Sequence, residues 1–124
     1  VRLRAFLISA LSVLGLFAAA LPAQASTQIC TDEAYCAGQA KFVSKGEHLK
    51  ANDNRGDGHG VYVKYYRWDV DTWGEFTQRG GSNSGWKDHN MSMKEGAKIK
   101  YRVCLIDGSD VKYFTCSDYV VDYA

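Results

Sequence analysis

His48, His59 and His89, together with Ser82 and Ser84, are the side chains whose chemistry could support proton transfer or nucleophilic attack. Acyl transfer by a serine requires a histidine base within hydrogen-bond reach and a carboxylate to orient that base. Ser82, Ser84, Asp88 and His89 are close in sequence, yet "GSNSG" sets Asn83 rather than serine between its glycines. A nucleophile elbow places serine at that centre, on a strand-to-helix turn, and no helical pattern follows here. Loop polarity accounts for these residues. No catalytic residue is expected.

Metal chemistry fares no better. "DNRGDGH" places Asp53, Asp57 and Gly58 at the first, fifth and sixth positions of a calcium loop. Arg55 then stands where an oxygen ligand belongs, and Lys64 where a bidentate glutamate belongs. Two positive charges in those places oppose cation binding, so the stretch reads as an ordinary turn. Neither a metal nor a cofactor is expected.

Cys30, Cys36, Cys104 and Cys116 are an even number in a small chain, which reads as two disulfides formed in an oxidising compartment. Three connectivities are open. Cys30–Cys36 and Cys104–Cys116 are favoured because each pair brackets its own turn, "CTDEAYC" and "CLIDGSDVKYFTC". With both formed, no thiol remains to act as a nucleophile.

Binding is the chemistry that remains. "VYVKYYRWDVDTW", residues 61–73, carries three tyrosines and two tryptophans with no glycine or proline. On a strand, alternate side chains share a face. Val61 and Val63 are expected to point inward, leaving Tyr62, Tyr66 and Trp68 around Lys64 on the outer side. Trp68, Trp73 and Trp86 lie near strand ends, beside two Gly, Asn, Asp and Ser-rich loops at residues 52–60 and 80–85 or the turn between them. Aromatic rings give large contact area at low entropic cost, and such loops adapt around them. Ser26, Thr27, Gln28 and Ile29 offer a second possibility, an extended segment able to add to the edge of a partner's sheet.

The elements that must position these groups are short β-rich runs separated by glycine-bearing turns. About seven strands are expected, in a small antiparallel β-sandwich. Residues 1–25 stand apart. Arg2 and Arg4 precede an apolar run ending in "AQA", the pattern of a signal peptide cleaved before Ser26. One secreted domain, residues 26–124, is then expected outside the cell. Arg2 and Arg4 leave with the signal, so fifteen basic residues become thirteen against fourteen acidic ones. That balance gives no electrostatic reason to expect nucleic acid or membrane as a partner.

"GEHLKANDNRGDGHG", "EGAKIKYRVCLIDG" and "CSDYVVDYA" resemble small secreted β-proteins of Streptomyces and related actinobacteria. Within that group the chain is similar to the small adaptor subunit of umbrella toxin particles, which are secreted antibacterial assemblies. The resemblance implies a non-enzymatic connector between a lectin-like subunit and the large toxin subunit, with Ser26, Thr27, Gln28 and Ile29 inserting into the lectin. Two alternatives stand beside it. The chain also resembles secreted α-amylase inhibitors in size, disulfides and sandwich form. Their Trp-Arg-Tyr triplet lies on a turn, whereas Tyr66-Arg67-Trp68 runs in reverse order within an expected strand. A small carbohydrate-binding module, with Trp68, Trp73 or Trp86 as the stacking platform, is the other.

Overall fold

The computed structural model describes residues 27–124. The expected signal peptide and Ser26 lie outside the described residues.

Strands that each turn one face toward a common core build two sheets. The strands are β1 (Gln28–Cys30), β2 (Gly38–Val43), β3 (His48–Asp53), β4 (Gly60–Arg67), β5 (Thr72–Gln78), β6 (Trp86–Asn90), β7 (Lys98–Asp107), β8 (Asp110–Lys112) and β9 (Val120–Tyr123). All their pairings are antiparallel. The first sheet runs β1-β2-β3-β6, and the second β5-β4-β7, with β8 and β9 sharing the far edge of β7. The expected all-β sandwich is what forms.

Among the described residues nine strands appear where about seven were expected, for two reasons. Gln28–Cys30 is a strand of this chain's own sheet, with Ile29 opposite Ala40. The last expected run also breaks in the middle, at a 3-10 turn over Tyr113–Thr115. There two side-chain oxygens, rather than backbone carbonyls, accept from β7. Thr115 Oγ1 accepts from the Leu105 N–H at 2.8 Å, and Ser117 Oγ accepts from the Val103 N–H at 3.1 Å. These bonds satisfy β7 donors between the pairing with β8 and the pairing with β9.

Ala40, Phe42, Leu49 and Ala51 of the first sheet meet Val61, Val63, Ile99, Tyr101 and Val103 of the second. Every one of them is at most 1% exposed. Full burial of each large apolar side chain contributes roughly 1.5–3 kcal/mol. Tyr101 is the largest of them, and its hydroxyl has two acceptors: the Thr27 carbonyl at 2.7 Å and Asp122 at 2.8 Å. One buried ring thereby ties both ends of the described chain to the core.

The disulfides are Cys30–Cys36 and Cys104–Cys116, as the turn-bracketing argument favours, with Cα separations of 5.0 and 4.1 Å. Two such bridges fit an extracellular setting. Among the described residues no helix is long and apolar enough to cross a membrane.

Candidate functional site

The alternation expected from residues 61–73 holds, and it fills the outer face of the second sheet. Tyr62, Lys64 and Tyr66 of β4 project outward. Across the register they oppose Thr77, Glu75 and Trp73 of β5 on one side, and Cys104, Arg102 and Lys100 of β7 on the other. β9 then sets Val121 opposite Lys100 and Tyr123 opposite Lys98. Trp68 follows β4 directly, and its N–H bonds the Lys98 carbonyl at 3.2 Å, so the chain keeps its alternation past Arg67. No bulge reverses it.

Three rings form the middle of this face. Tyr66 lies 4.9 Å from Trp68, edge to face, and 5.0 Å from Trp73, inclined by 57°. Tyr119 adds a fourth ring, 5.9 Å from Trp73. Trp68 is 42% exposed and Trp73 47%, with Val121 and Tyr123 open beside them. Single exposed apolar residues are ordinary on a soluble protein; a contiguous group marks an interaction surface.

Cations thread the rings. The Lys100 ammonium sits 5.1 Å from the Trp73 centroid, 5.2 Å from Tyr119, 5.6 Å from Trp68 and 5.8 Å from Tyr66. Lys98 lies 4.6 Å over Trp68, and the Arg102 guanidinium 4.9 Å over Tyr119. Ring quadrupoles hold such cations by about 0.5–1 kcal/mol each at exposed sites without neutralising them. Two carboxylates here are already engaged. Glu75 accepts from the Tyr62 hydroxyl at 2.5 Å and lies 3.7 Å from Lys64, while Asp71 accepts from the Tyr66 hydroxyl. Burial, reinforced by that bond to Glu75, pushes the Tyr62 phenol up, so it remains a donor at neutral pH.

Tyr62 itself is not part of the open surface. It is buried with Cys104 and Ile106, against Val111 and Cys116, because the Cys104–Cys116 bridge and β8 fold over this end of the sheet. The stripe of Tyr62, Tyr66 and Trp68 is therefore covered at its first residue, half-buried at its second and exposed at its third.

Trp86 lies elsewhere. It opens β6 opposite Asn52, on the outer face of the first sheet, with the Lys41 ammonium 4.1 Å over its ring. Of the three tryptophans, two share a face and the third is on the other side of the molecule. Of the N-terminal residues, Gln28 and Ile29 pair with β2 and Thr27 accepts from Tyr101, so the segment is anchored by more than its cysteine. The far edge of β1 is unpaired among the described residues.

The residues weighed for catalysis do not converge. His89 points inward, its ring stacked on Phe76 and its Nε2 3.1 Å from the Tyr65 hydroxyl. Asp88, next to it, points outward and meets His48 Nδ1 at 2.8 Å. The other ring nitrogen of His48 lies against Gly46, where an added Cβ would stand 2.8 Å away. Loop 52–60 and loop 80–85 meet at one end of the sandwich, around an open crevice of about 260 Å³ lined by Asp53, Arg55, His59 and Arg79.

Sequence reasoning missed Lys98, Lys100, Arg102, Tyr119, Val121 and Tyr123. "KIKYR", residues 98–102, carried the signal, since a cation at every second position becomes one charged row on a strand. Comparison with family models, with curated proteins and with solved structures finds no match.

Proposed function

We propose that this chain is a non-catalytic, secreted protein-binding domain that grips its partner through the outer face of β5, β4, β7 and β9. One observation carries the reading: Trp68 and Trp73 stand half-exposed on a sheet face where tilted rings alternate with cations. Tryptophan, tyrosine and arginine are the residues that dominate protein interfaces.

The ring geometry favours protein over carbohydrate. A sugar platform offers a ring face open to solvent, but here neighbouring planes are inclined by 57° and 89°. At Trp86 a lysine ammonium already lies over the ring. The α-amylase inhibitor alternative loses its triplet as a unit. Arg67 turns away from Tyr66 and Trp68 to bond Asp69 and the Ser92 carbonyl.

The resemblance to umbrella toxin adaptors supplies a concrete assembly for this reading. In it, the chain joins a lectin-like subunit to the large toxin subunit of an antibacterial particle. An adaptor needs two surfaces, and the edge of β1, unpaired among the described residues, offers backbone groups for a second contact, by strand addition.

The test is capture by tagged, oxidised residues 26–124 from the culture supernatant of the producing organism. A stoichiometric high-mass complex, lost with Trp68→Ala/Trp73→Ala and kept with Trp86→Ala, supports the proposal. Recovery of monomer alone at native abundance counts against it.

A further inference from the structure

The partner of this face is legible in its charge. Lys98, Lys100 and Arg102 occupy successive outward positions of β7, about 7 Å apart along the strand. None of the three forms an ion pair among the described residues. Arginine presents its donors in a fixed fork suited to carboxylates. A ring lies 4.6 Å from the Lys98 ammonium, 5.1 Å from that of Lys100 and 4.9 Å from the Arg102 guanidinium. The row is therefore built to receive negative charge from outside the chain.

We infer that the partner presents a short acidic polypeptide segment. Its carboxylates pair with Lys98, Lys100 and Arg102, while its apolar atoms pack on Trp68, Trp73 and Tyr123. This deepens the protein-binding reading and rests on it. An extended chain with an acid at every second residue repeats at the same spacing of about 7 Å as the cationic row.

Other occupants fit less well. A second copy docked through the same face would set the cationic row against itself, and like charges oppose that contact. A long polyanion would have to pass the acids that border the row. On this face Glu75 accepts from the Tyr62 hydroxyl and Asp71 from the Tyr66 hydroxyl. The rings, inclined to one another, do not offer the parallel stack that successive nucleotide bases use.

The experiment is a tryptophan-fluorescence titration of oxidised residues 26–124, in low and in high salt. The probe is a capped peptide of alternating glutamate and valine. Its lysine–valine counterpart, oligodeoxythymidylate and polygalacturonate are the comparators. The glutamate peptide should saturate the signal, weaken as salt rises, and lose about tenfold or more in affinity in Lys98→Gln/Lys100→Gln/Arg102→Gln. Lys41→Gln/Lys50→Gln, on the opposite sheet, should bind like wild type. Lys100→Arg should retain most of the affinity that Lys100→Gln loses.

An unchanged affinity in the triple variant, with its cooperative thermal transition intact, overturns the inference. So does saturation by the lysine peptide at equal affinity, or tighter binding of oligodeoxythymidylate or polygalacturonate than of the glutamate peptide. The two proposals separate cleanly. A natural partner that is lost with Trp68→Ala/Trp73→Ala but held by the triple variant at high salt leaves protein binding standing and removes the acidic segment.

Discussion

Tyr66 and Trp73 oppose each other across β4 and β5, ring centroids 5.0 Å apart, with Trp73 still almost half open to solvent. A ring so placed contributes little to folding and, in the proposed complex, much to association. Truncating a central interface tryptophan costs about 2 kcal/mol or more in binding. Trp73→Ala and Trp68→Ala should each weaken the captured complex by roughly thirtyfold. Each should cost less than about 1.5 kcal/mol of folding stability, since so much of the side chain is exposed in the free protein. Biolayer interferometry and thermal unfolding on the same samples check both halves.

On the inner side of the same pair of strands, Tyr65 lies over Gly74. A Cβ added at Gly74 would stand 2.2 Å from the Tyr65 ring. That ring cannot swing away freely, because its hydroxyl meets His89. Gly74→Ala should therefore cost about 1–3 kcal/mol by overpacking. Combined with Tyr65→Leu it should cost less than the two single changes added, as measured by a denaturant-unfolding cycle.

Burial holds the His89 imidazole below its ordinary value, with Lys87 and Arg67 lowering it further and Asp88 opposing them. The unfolded chain then takes up this proton first as pH falls below 6.5, so stability declines from that point downward. Asp122 has the opposite sign. Burial raises its carboxyl even though it accepts from Tyr101, so its contribution diminishes as pH rises through and above 3.8. His89→Phe should flatten the decline on the acid side of 6.5 while leaving the slope just above 3.8, and Asp122→Asn should do the reverse. Melting temperature against pH reads both.

The Cys104–Cys116 bridge closes the longer loop and covers Tyr62, whereas Cys30–Cys36 closes a short one. In chain-entropy terms the longer loop gains more, roughly 3 kcal/mol against somewhat less for the shorter. Cys104→Ser/Cys116→Ser should destabilise more than Cys30→Ser/Cys36→Ser, and it should also raise the exposure of Tyr62. Denaturant midpoints, with tyrosine surface labelling, test the two effects together.

Much of this was legible in the residues. Period-two alternation separated Val61 and Val63 from Tyr66 and Trp68, and each cysteine pair bracketed its own turn. What stayed hidden depends on pairing between distant segments. β4 and β7 are joined in register from Gly60 with Ile106 to Arg67 with Ile99, and only that register sets Lys100 among the rings of residues 66–73. Tyr62 reads as exposed by alternation alone; the bridge that covers it arrives about forty residues later in the chain. β1, of three residues, is too short for its own pattern to declare it and exists through its partner β2. The 3-10 turn that splits one expected run into β8 and β9 rests on side-chain bonds to β7.

Oxidative footprinting of the three tryptophans, free and in the captured complex, addresses the binding face most directly. Mass spectrometry should show Trp68 and Trp73 protected in the complex and Trp86 as reactive as before. Equal reactivity of Trp68 and Trp73 in the two states would contradict the assignment of the β5, β4, β7 and β9 face as the surface that holds the partner.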